Sequence, residues 1–422
     1  MTDYTDTGSI QRTFVQTASA ALPELDRWTQ ITEEEVALVA EMTRRNELSG
    51  GTPLVRTFER RWAEWIGTRF AVTVMNGTSA LYSAYFGMGV GPGDEVICPV
   101  NTWICTIAPA ILLGAKPVFC DIDPETLLMD PEDVRKRITP RTRCIVPVHL
   151  WGNVCDMDVL LAISREHNIP ILEDCSHAHG ARYKGTMCGA LGAVGCWSFQ
   201  GSKPLSAGEG GVLATDDIDL FERACLVGQV NRIAGIDLVG AKYEELQPLG
   251  LGMKFRAHPL GIGIASVQLD KLPALNKRRA AYVAEIEAGL TSIPGLRPCR
   301  VYDGAERAGF YGVPALHDPT AMGMSTQAFI EAAAKQGLHL GHDRYPNLHT
   351  LPLFQKGFDV FTRNRGPLCA NEGYSGYSPG DFPNAEHAAA HTLFLPELSD
   401  PTPNAPRIIL EALTRIFHQV SS

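Results

Sequence analysis

From about residue 69 the chain alternates short, continuously apolar runs with helical stretches. The runs read "FAVTVM", "DEVICPV", "KPVFCDI", "RCIVPVHL", "IPILED" and "VGCWSF", with segments such as "DMDVLLAISREHN" between them. Strands that stay apolar residue after residue are covered on both faces, and strands alternating with helices form parallel βαβ units. This pattern predicts an α/β fold: a mostly parallel central sheet sandwiched by helices. "GEGGVLATDD" adds a further strand.

The flanks are organised differently. "TEEEVALVAEMTRR" predicts a helix within a polar N-terminal segment, residues 1–50, that packs on the rest. A long helix is expected over 259–292, with Pro259 in its first turn and a break or kink at Pro273. "SIPGLRPC" marks a boundary, giving a large α/β domain over 51–293 and a smaller α+β domain over 294–422 with a Gly/Pro/Asn-rich loop near 365–384.

With 422 residues the chain can bury a large core, and a net charge of −10 without a basic stripe speaks against nucleic acid or an anionic membrane as partner. Eleven cysteines without a CxxC pair argue against a disulfide framework or zinc site and for a reducing cytoplasm. The N-terminus lacks the pattern of a signal peptide, and no apolar run is long enough to span a membrane. GxxxxGK[ST] and HExxH are both missing, and Pro92 stands where "GMGVGPG" would need the third glycine of a dinucleotide fingerprint.

Open α/β sheets bind ligands beyond the carboxyl ends of their strands. Four such ends carry unusual groups. In "VMNGTSAL" a strand runs into Asn76, Gly77, Thr78 and Ser79 and then a helix, either a phosphate-binding helix start or a plain N-cap. In "PVNTWICT", Trp103 stands ready to stack on a flat ring or to fill a core. In "ILEDCSHAHGA", Asp174 ends a strand ahead of His177 and His179; a turn cap and a weak metal set are the alternatives. In "WSFQGSKPLSAGEGG", Lys203 follows Ser198 and Gln200 in a glycine-rich bend, a costly place for an ammonium unless it is an exposed loop lysine.

One ligand uses all four. Pyridoxal 5'-phosphate needs a lysine for its aldehyde, a carboxylate for its ring nitrogen, an aromatic cover, and N–H and hydroxyl donors for its phosphate. Lys203 and Asp174 are then the catalytic candidates, with Gly77, Thr78, Ser79, Trp103, His177, Ser198 and Gln200 binding cofactor. No metal is expected.

The wording of these segments, "NGTSAL", "PVNTWICT", "EDCSHAHGARYKG", "SFQGSKPLSAGEGG" and "FPNAE", resembles the DegT/DnrJ/StrS sugar aminotransferases, strongly over about 48–290. The resemblance implies fold type I, a ping-pong transfer from glutamate or glutamine to a nucleotide-linked keto-sugar or a cyclitol ketone, and a homodimer with shared active sites. Such work belongs to amino sugar or aminocyclitol biosynthesis, including that of antibiotics. His177 replaces the usual glutamine and is similar to a subset that includes 3-amino-5-hydroxybenzoate synthases, so an aromatising lyase or dehydratase is the alternative. Lysine, not histidine, at 203 favours transamination. "GMKFRAHPL" replaces an Asn-Tyr-Arg run; Lys254 is expected at the neighbouring subunit's phosphate and Arg256 is a substrate-binding candidate, with plain solvent exposure of both as the alternative. "HDRYPNLHTLPLF" is expected to line the acceptor site, with Tyr345 a contact there and His349 either a substrate contact or a satisfied structural histidine.

Overall fold

The computed structural model describes residues 24–27, 31–232, 238–240, 242–247 and 249–420. The expected strands form one sheet: β1 Phe70–Val74, β2 Glu95–Pro99, β3 Lys116–Cys120, β4 Thr142–Ile145, β5 Leu172–Asp174, β6 Val194–Ser198 and β7 Gly211–Thr215. Its order is β3-β2-β4-β5-β6-β7-β1, with β4 joined to β5 by the parallel bridges Ile145–Ile171 and Val148–Asp174. All neighbours are parallel except β7, which is antiparallel to β6 and to β1.

Side-chain alternation divides the sheet between two cores. Ala71, Ile97, Ile145, Trp197, Val212 and Ala214 face one, under α2 (Pro53–Ile66) and α4 (Met157–His167). Val72, Val96, Cys144, Cys196 and Leu213 face the other, under α3 (Gly77–Gly87) and α5 (Ile218–Gly228). Both faces are covered, which is why these strands lack a polar period.

The expected break at Pro273 is absent. Helix α6, Pro259–Leu290, runs through it. Pro273 leaves one carbonyl a turn earlier without its helical donor, and packing on both sides outweighs that loss. Ile262, Ala265 and Leu272 of α6 sit in the first core; Tyr282, Val283, Ile286 and Leu290 sit in a third. The third core covers an antiparallel sheet, β8 Leu296–Pro298, β9 Val313–His317, β10 Gly341–His342 and β11 Thr392–Leu395, in the order β8-β9-β11-β10. Leu348, Phe354, Leu368 and Phe382 return to the second core, so the late chain packs against both sheets.

The expected N-terminal helix is α1, Glu33–Arg44. Thr32 and Glu35 form a capping box, and Lys271 of α6 bonds Glu35 at 2.7 Å. No helix among the described residues is long and apolar enough to cross a membrane.

Candidate active site

A cavity of about 450 Å³ opens beyond the carboxyl ends of β1, β5 and β6. Gly77, Thr78, Trp103, Asp174, His177, Ser198, Gln200, Lys203 and Tyr345 all line it. Residues spread over 268 positions of chain therefore meet because parallel strands deliver their ends to one side.

The turn after β1 starts α3. Asn76 is the N-cap, and its Oδ1 accepts from the Ser79 N–H at 2.8 Å and the Ser79 hydroxyl at 2.9 Å. Ser79 is consequently buried against Asn76 and does not line the cavity, contrary to its expected cofactor contact. The N–H groups of Gly77 and Thr78, in the first helical turn, have no partner within the helix. A Cβ on Gly77 would approach the Ser198 Cβ to 2.7 Å, and one on Gly211 would meet the Asn76 carbonyl at 2.6 Å. These glycines let β6 and β7 crowd the turn, rather than only admitting a ligand.

Lys203 lies in the loop joining the antiparallel pair β6 and β7. Two bonds close its neck: Phe199 N–H to the Gly210 carbonyl and Ala207 N–H to the Phe199 carbonyl, each 2.8 Å. The Gln200 carbonyl accepts from the Lys203 N–H at 2.8 Å, and Gln200 Oε1 accepts from the Ser202 N–H at 3.0 Å. The lysine Nζ sits 3.7 Å from the centroid of the Tyr311 ring. Burial lowers its ammonium to about 7, against the Asp174 and Glu397 carboxylates, which raise it. An amine that is free near neutrality can act as nucleophile and base.

Asp174 is 4% exposed at the end of β5. Its Oδ1 accepts from the Ser176 N–H at 3.1 Å and its Oδ2 from the Thr106 hydroxyl at 2.9 Å. His177 Nδ1 accepts from the Trp151 N–H at 3.3 Å, and its Nε2 lies 3.1 Å from the Tyr345 hydroxyl. Burial, then Lys203 and Arg344, hold its pKa well below the usual value, so it is neutral with the proton on Nε2. His179 spends Nε2 on the Ser198 carbonyl at 3.0 Å and is lowered to about 3 by burial. Among the described residues, Asp174, His177 and His179 do not bring their ligand atoms together as a metal set would require. His149, Glu173 and Cys175 do cluster, but the Glu173 oxygens already accept from the N–H groups of Gly189, Leu191 and Gly192 at 2.6–2.8 Å.

Trp103 is 37% exposed at the cavity wall, 5.5 Å from the Tyr345 ring. His349 lies outside the cavity. It is fully buried, with Nε2 2.8 Å from Glu386 and its ring 4.9 Å from that of Phe382, the satisfied structural position and not the substrate contact. Lys254 and Arg256 do not line the cavity of their own chain either. Arg256 is bridged to Val74 at the edge of β1 and Lys254 to Gln229, and the Lys254 side chain is exposed. Tyr311, Thr102 and Thr106 line the cavity and were not singled out from the sequence; none carries a chemistry that marks it there.

Over residues 29–414 the chain belongs to the DegT/DnrJ/EryC1/StrS aminotransferase family. It is 34% identical to the spore coat polysaccharide biosynthesis protein SpsC of Bacillus subtilis over 375 residues, 87% of this chain and 90% of that one. It is 36% identical over 350 residues to a putative L-glutamine:3-amino-2,3-dideoxy-scyllo-inosose aminotransferase of Streptomyces kanamyceticus, 81% of each chain. The crystal structure of an aminotransferase from Psychrobacter cryohalolentis superposes with a TM-score of 0.81 at 26% identity, covering 94% of this chain and 99% of that one. The protein is an aminotransferase of fold type I that depends on pyridoxal 5'-phosphate. The donor set of the cavity fits that group: an amine of lowered pKa, a buried carboxylate, an indole at the wall and a helix start beside the Ser198 hydroxyl.

Proposed function

We propose that the chain transfers an amino group from glutamine or glutamate to the ketone of a cyclitol or of a keto-sugar, nucleotide-linked keto-sugars included, in the biosynthesis of an aminocyclitol or amino sugar. The observation that carries this reading is that Lys203 and Asp174 line one cavity with the α3 N-terminus. The names of relatives such as the glutamine:inosose aminotransferase support the donor and the cyclitol acceptor. The bound cofactor supplies an aldehyde and an electron-accepting ring. Lys203 holds the aldehyde and moves the proton from the donor α-carbon. Asp174 faces the ring nitrogen and Trp103 covers the ring. His177 Nε2–H, 3.1 Å from the Tyr345 hydroxyl, would be shared between that oxygen and the ring's 3-oxygen. The Gly77 and Thr78 N–H groups and the Ser198 hydroxyl take the phosphate, while Gln200 shapes the bend that presents Lys203. Tyr345 lines the acceptor side.

A single chain leaves that phosphate short of charge, because Lys203 is the one cation among the residues lining the cavity. Lys254 of a second copy would supply another, with Arg256 beside it. Beside Lys254, Leu246, Leu249, Leu251 and Met253 are 44–58% exposed, an apolar stretch that a second subunit would cover. The working unit in this reading is a cytoplasmic homodimer of chains divided near residue 293 into a large cofactor domain and a smaller C-terminal one. Incubation with glutamine and a panel of inososes and keto-sugars tests it: an amine product that requires both donor and acceptor supports transamination. Turnover of an acceptor without donor would favour a lyase or dehydratase instead.

A further inference from the structure

The turn that carries Trp103 also reaches Asp174. Residues 104–106 form one 3-10 turn closed by the Thr106 N–H to the Trp103 carbonyl at 2.9 Å. The Tyr85 hydroxyl of α3 fixes the Thr106 carbonyl at 2.7 Å. Thr102 and Thr106 are each 1% exposed. The Thr106 hydroxyl lies 2.9 Å from Asp174 Oδ2, and the Thr102 hydroxyl lies 3.0 Å from that of Thr106.

Proton bookkeeping orders these contacts. An ionised carboxylate only accepts, so the single Thr106 hydroxyl hydrogen goes to Asp174. The contact with Thr102 must then be donated by Thr102. The chain reads Thr102 O–H to Thr106 O–H to Asp174, with the Ser176 N–H on the other carboxylate oxygen.

We infer that Thr106, backed by Thr102, is a positioning residue that keeps the shared proton on the cofactor's ring nitrogen rather than on Asp174. Burial of the carboxylate, only 4% exposed, favours the neutral pair, a protonated Asp174 beside an uncharged ring, because burying charges is costly. Donors aimed at the carboxylate oppose that transfer by stabilising its charged form. The inference rests on the proposed facing of Asp174 to the ring nitrogen, and the experiment separates the two.

The test is the 15N resonance of the ring nitrogen in holoprotein loaded with 15N-labelled pyridoxal 5'-phosphate. Wild type should report a protonated nitrogen. In Thr106→Val the proton should move toward Asp174, with the nitrogen-to-oxygen ratio falling about tenfold, as expected for one hydrogen bond to a charged acceptor. Thr106→Ser should restore the wild-type shift, and Thr102→Val should move it the same way by less. Resonances unchanged in Thr106→Val and Thr102→Val, with the protonated signal lost in Asp174→Asn, overturn the role of the threonines. Should Thr106→Val not fold, an unchanged Thr102→Val resonance overturns it alone. A nitrogen still protonated in Asp174→Asn overturns the facing of Asp174 and the threonine role with it.

Discussion

Glu173 and Asp174 are consecutive carboxylates at the end of one strand with opposite surroundings. Asp174 lines the cavity, whereas Glu173 is sealed among three backbone N–H groups and His149 Nε2 at 3.1 Å. Strand alternation sends one into the site and the other into the wall that supports it. The two should therefore fail differently when altered.

Asp174→Asn keeps the shape and loses the charge. The variant should fold and bind cofactor, while transamination from glutamine slows by about 10²–10⁴-fold, the usual scale for a positioned proton-holding group. Steady-state kcat on the best acceptor checks this, and near-normal turnover refutes the role of Asp174.

Glu173→Ala should act on stability. It leaves the N–H donors of Gly189, Leu191 and Gly192 without an acceptor, at roughly 1–3 kcal/mol for each that water cannot reach. Urea unfolding should show a midpoint well below wild type, with Glu173→Gln intermediate. An Ala variant as stable as wild type would mean the 189–192 turn holds without this carboxylate.

Lys203 gives the pH dependence. Its ammonium is lowered to about 7, so the free amine dominates above that pH and is lost below it. Cofactor uptake by the cofactor-free protein, followed by absorbance, should slow about tenfold per unit below pH 7 and level off above about pH 8. A rate still rising at pH 9–10 would indicate an ordinary exposed lysine.

Lys254→Ala tests the shared site. Loss of one charge-assisted phosphate contact, roughly 1.5–3 kcal/mol, should weaken cofactor binding about tenfold or more. The size of the assembly by gel filtration should match that of wild type. Unchanged affinity removes Lys254 from the phosphate, and a fully active monomer removes the shared site.

Much of the site was legible because strand-end chemistry is local. Asp174, Trp103, Gly77 and Lys203 each sit where an apolar run stops, and a parallel sheet brings such stops together. What was misread depended on choices made elsewhere. Any of Asn76, Thr78 or Ser79 can cap a helix, and the capping by Asn76 turns Ser79 away. His349 was open between a substrate contact and a structural position, and Glu386, 37 positions away, decides between them. Pro273 is tolerated because α6 is held by two cores at once. Tyr311 and Thr106 are ordinary residues in ordinary segments until Lys203 and Asp174 arrive beside them.

The central claim is that Lys203 is the residue that joins the cofactor. Borohydride reduction of the yellow holoprotein, followed by peptide mass mapping, tests it most directly. A single pyridoxyl group on Lys203 is the expected result, and a reduced adduct on any other lysine would contradict this role.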